Sequence, residues 1–420
     1  MNASVEPLTK PASRLDLFLR RSLLEKLTKI EHVRLSINDP IGYYEFGSDL
    51  ASDLSASIVV TDLAFYRKLA LGGSIGAAEA YMDKLWTAND LTKVIQIMVR
   101  NRDLLDSIEG GFATLANKML TFWHEKNQNT TTGSRKNIAA HYDLGNDFFA
   151  LFLDQHGMYS AGTFYSPDMT LEDASTAKLE RICQKLDLQS SDHLIEIGTG
   201  WGGFAAYAAK NYACKITTTT ISVEQFNAAQ QRMLREGVAD KVTVIMQDYR
   251  ELQGQYDKLV SIEMIEAVGQ QFLDTYMHKC ASLLKPQGLA LIQAITIEDH
   301  RYQQALNSVD FIQRYIFPGS FIPSVSAIVN SSATQSDMRL LNLEDQGASY
   351  ALTLNHWRQR FMSRLKTVRQ QDYSEEFIRM WEFYLCYCEG GFLEKSTSSV
   401  QLMFAKPGNR RKQWLPHNAA

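Results

Sequence analysis

The chain has 420 residues, of which 45% are hydrophobic, 21% charged and 10% aromatic, with a formal net charge of −4. That length exceeds one ordinary domain, and the near-neutral charge excludes general nucleic-acid binding, which needs clustered cations to displace counterions. No apolar run reaches the about 18 residues that span a bilayer, no secretory leader is visible, and Cys183, Cys214, Cys280, Cys386 and Cys388 show neither disulfide nor zinc spacing, so a reducing cytoplasmic compartment without a metal site is expected.

In chain order, residues 1–124 read as a smaller, mainly helical N-terminal domain. Its first helix, near Leu15 to Ile30, places Leu15, Phe18, Leu19, Leu23, Leu27 and Ile30 near one face with Arg20, Arg21, Lys26 and Lys29 around it. Two readings stay open: an interfacial helix on anionic lipid, or a surface helix packed on its own domain. "VRLSI" alternates like a strand, and helices follow at "GGSIGAAEAYM" and "LTKVIQIMVRN". The polar run 125–137 reads as a linker, and 407–420 as a frayed basic tail.

Between them, 138–406 alternates strands and helices: His193–Ile197, a helix to Lys210, Lys215–Thr220, a helix Ser222–Arg235, Lys241–Gln247, Lys258–Glu263, a helix to Leu284, Leu289–Ile297. That alternation predicts an α/β fold, a doubly wound, mostly parallel Rossmann-like sheet.

Four glycines fill the six residues Gly198 to Gly203 after the first of these strands. Gly198, Gly200 and Gly203 formally fit a dinucleotide fingerprint. Against a pyrophosphate, Glu196 would repel phosphate at the helix N-terminus, and the position about 20 residues on, where an acid would hold a ribose, falls in the threonines Thr217 to Thr220. Glu196 suits a ligand with positive charge, and S-adenosylmethionine, with its sulfonium and ammonium, is such a ligand. Ser222 and Gln225 either form a capping box or face the adenosine ribose. Asp248 and Tyr249, after Gln247, either make a turn or meet the adenine.

The stretches "NIAAHYDLGNDFF", "MYSAGTF", "IEIGTGWGGFAAYAA", "TTTTISVEQ", "QDYREL", "RYIFPGSFIPS" and "YLCYCEGGF" together resemble the cyclopropane-fatty-acyl-phospholipid synthase family and the related mycolic acid cyclopropane synthases. "GGSIGAAEAYMDKLW" is similar to the lipid-associated N-terminal domain of the longer members, so the likeness spans nearly the whole chain. The resemblance implies a class I methyltransferase that adds the S-adenosylmethionine methyl to a cis double bond of a membrane phospholipid acyl chain, closing a cyclopropane ring through a carbocation. It implies peripheral contact with the inner membrane face and is compatible with a homodimer.

By the same resemblance the cofactor contacts fall on Tyr159 and Ser160, the stretch Leu194 to Gly202 with Glu196, Gly198, Gly200 and Gly202, the stretch Thr220 to Gln225 with Ser222, and Tyr249 with Arg250, beside the candidates Gln247 and Asp248 at the same strand end. The family's active-site cysteine matches Cys388, which by itself reads as a buried helix thiol with no nearby base in sequence. A bicarbonate ion serves as the family's base. Its ligands match Glu266, Ile295 and Tyr350, while the cysteine and histidine positions hold Ala161 and Gln293. Glutamine donates to an anion but cannot relay a proton as histidine does. Two outcomes follow: bicarbonate binds and a ring closes, or Glu266 or a water takes a different proton and the product is a methyl- or methylene-branched chain. A catalytically silent lipid-binding homologue is the third reading, and a methyltransferase of soluble small molecules a fourth.

Overall fold

The computed structural model describes residues 13–47, 53–104 and 144–411. In chain order the main elements are α1 (Arg14–Leu27), β1 (Arg34–Asp39), β2 (Gly42–Phe46), β3 (Ser55–Val60), α2 (Ala64–Met82), β4 (Trp86–Ala88), α3 (Leu91–Arg100), α4 (Leu171–Leu186), β5 (His193–Ile197), α5 (Gly203–Tyr212), β6 (Lys215–Thr220), α6 (Val223–Arg235), β7 (Val242–Met246), β8 (Tyr256–Ile262), α7 (Leu273–Ser282), β9 (Leu284–Ile297), α8 (Val325–Gln335), β10 (Arg339–Asp345), α9 (Gly347–Ser363), α10 (Glu375–Leu393) and β11 (Thr397–Ala405). The helix starts are chemically marked: Ser13, Asp90, Thr170, Ser222, Ser324 and Ser374 each accept a backbone N–H of the first turn they precede.

Two compact units divide the chain. The first combines residues 1–126, 307–316 and 358–396, and the second combines 127–306, 317–357 and 397–420. The expected boundaries, 1–124 before a linker and 138–406 after it, therefore differ from this division, because two later segments join the N-terminal unit. The linker itself, like "NIAAHYD" and most of the tail, lies outside the described residues.

Within the first unit, helices outweigh a small sheet of order β2-β1-β3-β4, of which only β1 is visible in the sequence pattern. The α10 helix packs on α2 and α3 through interactions that sequence distance conceals. Glu389 accepts from Thr92 and Arg358, Tyr81 donates to Glu382, and Arg379 lies 3.7 Å from the Tyr81 ring centroid. On α1, Leu19, Leu23, Leu24 and Leu27 are buried, whereas Leu15, Leu17 and Phe18 stay 49%, 40% and 58% exposed beside the exposed Arg14 and Arg21. The two readings of that helix thus divide along its length: its later turns pack on the domain and its first turns present apolar side chains outward.

The second unit is built on a seven-stranded sheet of order β10-β11-β9-β8-β5-β6-β7. Strands β5 to β9 run parallel, and β11 pairs antiparallel with both β9 and β10. Helices cover both faces, so β5 is apolar on both. Leu194 packs with Leu179 and Phe204, and Ile195 and Ile197 pack with Tyr276 and Ile328. The chain runs outward from β5 to β6 and β7, then returns to place β8 on the other side. The crevice beyond the carboxyl ends of β5 and β8 is therefore the topological switch point where open α/β sheets bind ligands. Among the described residues no helix is long and apolar enough to cross a membrane.

Gly390 of α10 leaves room for α3: a Cβ there would lie 2.7 Å from Ile95 Cγ2. Gly390→Ala is therefore expected to lower unfolding free energy by about 1–3 kcal/mol. Gly72→Ala, where a Cβ meets nothing within 4 Å, should stay within about 0.5 kcal/mol. Denaturant titrations of both variants check the difference.

Candidate active site

The loop after β5 turns through three left-handed glycines, Gly198 (φ 99°), Gly200 (φ 52°) and Gly202 (φ 78°). The N–H groups of Gly198 and Thr199 donate to the Thr219 carbonyl, tying the loop to the end of β6. A Cβ on Gly200 would meet nothing within 4 Å, so this glycine borders open space. One residue past the loop, a Cβ on Gly203 would fall 2.3 Å from the His156 carbonyl, which fixes close packing at the start of α5.

Behind the loop Glu196 is 2% exposed, and the one hydrogen bond shown to its carboxyl comes from Thr218 Oγ1 at 2.6 Å. Burial pushes its pKa up to about 8. A buried carboxyl with so little compensation is poised for a positive ligand. Beside it, Thr220 accepts from Ser222 N–H and donates to Gln225 Oε1, while Ser222 caps α6 by accepting from Gln225 N–H. Ser222 is thus an N-cap, but Gln225 turns its side chain to Thr220 and not back to Ser222 N–H, so only half of the capping box forms. Asp248 turns both oxygens onto Arg250, at 2.8 and 2.6 Å, and Tyr249 meets Tyr276 edge-on. The Gln247 carbonyl accepts from Thr219 Oγ1.

At the end of β8 stands a group that the sequence reading passes over. Glu263 is a non-glycine residue at φ 48°, and its backbone N–H is pinned to the Gln293 carbonyl at 2.8 Å. Its carboxylate is the meeting point of three of the five groups that the family resemblance assigned to bicarbonate. Oε1 accepts from Ala161 N–H at 3.0 Å, Gln293 Nε2 at 2.8 Å and Ser399 Oγ at 3.3 Å; Oε2 accepts from Tyr350 Oη at 2.9 Å. Burial pushes the Glu263 pKa up, and these donors together with the charge of Lys178 oppose that shift. Lys178, fully buried on α4, donates to Ser160 Oγ at 2.7 Å, and burial lowers its pKa to about 8.

Glu266, three residues on, is held differently. Its Oε1 accepts from Ile295 N–H at 2.5 Å, and its Oε2 is buried with no partner among the described residues. Burial, then the charge of Glu263, push its pKa up to about 8. Burial thus pushes both neighbouring carboxyls up: Glu266, with one donor and a like charge beside it, is the one to hold a proton at neutral pH, and Glu263 is the one whose donors and the nearby Lys178 oppose the shift.

Around them lies an aromatic group within the same unit. Tyr159 is 5.3 Å from Phe149, 6.2 Å from Phe317 and 5.2 Å from Trp357, and Trp357 stands edge-on to Tyr350 at 6.2 Å. Trp201 of the glycine loop joins Phe149 at 5.0 Å and donates from Nε1 to Asn146.

Residues 129–402 match the family model described as mycolic acid cyclopropane synthetase. The chain belongs to that family. It is 37% identical over 78% of its length to a tuberculostearic acid methyltransferase of Mycobacterium tuberculosis, of which the match also covers 78%. It is 35% identical over 84% of its length to the cyclopropane-fatty-acyl-phospholipid synthase of Escherichia coli K12, covering 88% of that protein. Among solved structures, a cyclopropane synthase of Mycobacterium tuberculosis superposes with a TM-score of 0.60 at 28% identity, covering 65% of this chain and 98% of that one. A mycolic acid cyclopropane synthase solved with SAH gives the same TM-score at 27% identity. The fold is that of class I methyltransferases, and this family member is an S-adenosylmethionine-dependent methyltransferase.

Against that family pattern, the structure brings Ala161, Gln293 and Tyr350 together, but on Glu263 rather than around an open anion site. The donors expected to hold bicarbonate are engaged, so the residues present do not fit that ion. Glu266 and Ile295 form a separate bonded pair. Cys388 lies on α10 in the first unit, half-buried, and burial and the nearby Asp310 push its thiol up, the opposite of an activated thiolate. Sequence reasoning missed Glu263, Lys178, Ser399 and Trp357. For Glu263 a signal existed: "SIEMIE" carries a second acid at the C-terminal end of a parallel strand.

Glu196 and Glu266 both have folded pKa values near 8 against an ordinary 4.5, so between those pH values the folded state binds protons that the unfolded state has lost. Stability is expected to fall as pH rises through that window, and Glu196→Gln should flatten the fall. The melting-temperature shift produced by S-adenosylmethionine should be larger at pH 8 than at pH 6, because the deprotonated Glu196 suits a cation. Thermal melts across pH, with and without cofactor, check both.

Proposed function

We propose that this enzyme transfers the S-adenosylmethionine methyl to a cis double bond of an unsaturated acyl chain in a phospholipid and yields a methyl- or methylene-branched, still olefinic chain, with Glu263 as the base. The observation that carries the reading is the Glu263 carboxylate, standing where Ala161, Gln293 and Tyr350 converge.

When bound, the cofactor supplies an electrophilic methyl on sulfur. Glu196 and the Gly198–Gly202 loop would hold its cationic end, Tyr159 and Ser160 would flank it, and Thr220, Ser222, Gln225, Gln247, Asp248 and Tyr249 would line the adenosine side. An alkene has no proton to remove before attack, so the first requirement is alignment in a dry site. Attack leaves a cation on the acyl chain. The faces of Tyr159, Phe149, Phe317 and Trp357 would stabilise it, by about 2 kcal/mol for a desolvated contact.

Ring closure requires a base that strips the new methyl while the charge is still on the adjacent carbon. A carboxylate whose oxygens already accept four hydrogen bonds is slow to take a proton, which leaves time for a hydride to migrate and move the charge to the methyl-bearing carbon. Loss of a neighbouring proton to Glu263 then forms a carbon–carbon double bond, and S-adenosylhomocysteine carries away the electron pair of the broken S–C bond. No reductant is consumed, so the chain remains olefinic.

The first turns of α1, with Leu15, Leu17 and Phe18 outward beside Arg14 and Arg21, support peripheral contact with an anionic membrane at the cytoplasmic face. A cyclopropane product is the second reading, favoured by the Escherichia coli relative.

Incubation with methyl-labelled cofactor and unsaturated phospholipid vesicles, followed by ozonolysis and mass spectrometry of the acyl chains, tests the reading. A labelled chain that ozone still cleaves is expected, whereas a labelled chain resistant to ozone establishes the ring. Glu263→Gln should lower kcat by about 10²–10⁴-fold, the range for loss of a general base.

A further inference from the structure

We infer that Lys185 is a positioning residue for Glu263, acting through Gln401 and Gln293 to keep a hydrogen-bond donor aimed at that carboxylate; this rests on the reading of Glu263 as the base. The three side chains form a buried file across the sheet. Lys185 Nζ donates to Gln401 Oε1 at 2.8 Å, Gln401 Nε2 to Gln293 Oε1 at 3.1 Å, and Gln293 Nε2 to Glu263 Oε1 at 2.8 Å. Gln293 and Gln401 have no exposed surface and Lys185 only 3%.

The direction of the file follows from chemistry. An amide is nearly symmetric in shape, so partners alone decide which end points where. An ammonium only donates, so Gln401 must turn its oxygen to Lys185 and its nitrogen to Gln293. Gln293 must in turn direct its nitrogen at Glu263. Reversing either amide sets oxygen against oxygen or nitrogen against nitrogen where water has no access.

The far end of the file is anchored as well. Lys185 pairs with Glu344, which also takes two hydrogen bonds from Arg181 at 2.7 and 2.6 Å. Burial lowers the Lys185 pKa, and Glu344 opposes that shift. Removing the ammonium leaves Glu344 still paired with Arg181.

Lys178 and Lys185 stand two turns apart on α4, among the apolar Leu179, Ile182 and Leu186, one near each end of the file. The charged and titratable groups facing Glu263 are Lys178 from α4, Glu266 from its own loop and Tyr350 from α9. None of them fixes the Gln293 amide.

Four variants test the inference: Lys185→Met, Gln401→Glu, Lys185→Arg and Glu263→Gln. Without the ammonium, or with an acceptor-only side chain at 401, Gln293 can turn its oxygen to Glu263 and disfavour the carboxylate. The acidic limb of the kcat–pH profile should then move up by about one unit, so that turnover on that limb drops about tenfold. KM for S-adenosylmethionine should stay within about twofold, since cofactor binding does not use the file. Lys185→Arg, which keeps a donor-only cation, should restore the profile. Gln401→Glu retains an ion-pair partner for Lys185 and carries the test if Lys185→Met does not fold. An unmoved acidic limb in a folded Lys185→Met or Gln401→Glu protein overturns the inference, while undiminished turnover in Glu263→Gln overturns the underlying base assignment instead.

Discussion

The site is organised around one carboxylate, that of the half-buried Glu263. Glu263 leaves β8 in a left-handed conformation that few side chains adopt, and its charge is compensated by a main-chain donor, an amide, a phenol and a hydroxyl drawn from four different elements. That convergence fixes where β9, β11, α9 and the segment before α4 must lie relative to the end of β8. Removing the carboxylate would leave those buried donors facing one another, a far larger disturbance than the loss of one surface ion pair. Under the proposed function the same residue would supply the anion that a recruited ion would otherwise provide.

Topology makes the arrangement productive. Because the strand order reverses between β5 and β8, the glycine loop and Glu196 follow one of two neighbouring strands, and Glu263 and Glu266 follow the other. Under the proposed function, a methyl donor seated by the first strand would meet Glu263 from the second. The two halves carry different electrostatics. Glu196 is nearly bare and suits a cation, whereas Glu263 accepts from four donors that oppose the upward push of burial on its carboxyl. Hydrophobic helices cover both faces of the sheet, and Tyr159, Phe149 and Trp357 form one aromatic group that, under the proposed function, would face the acyl cation.

Local chemistry was legible in the sequence and long-range partnership was not. The strand His193–Ile197 announces itself by Leu194, Ile195 and Ile197 before the glycines, and the α6 start by Ser222 followed by Gln225, because both signals lie within a few residues. The Gly198–Gly202 loop behind Glu196 is likewise a local pattern. Glu263 escaped because its meaning depends on Ala161, Gln293, Tyr350 and Ser399, which lie from 30 to 136 residues away. The assignment of 358–396 to the first unit escaped for the same reason: the contacts of Glu389 with Thr92 and of Tyr81 with Glu382 bridge about 300 residues of chain. Family likeness pointed to positions 161, 293 and 350 as ligands of a diffusible ion; it compares positions and does not reveal that these groups bond the carboxylate of a neighbouring residue, Glu263.

The central claim is that the protein carries its own anion at the reacting centre. The most direct measurement is turnover in carbon-dioxide-free buffer as bicarbonate is added back. A rate independent of bicarbonate is expected for the native enzyme, and a Glu263→Gly variant, with the donors of Ala161, Gln293 and Tyr350 released, should become bicarbonate-dependent. A native rate that collapses without bicarbonate and recovers with it would contradict the account.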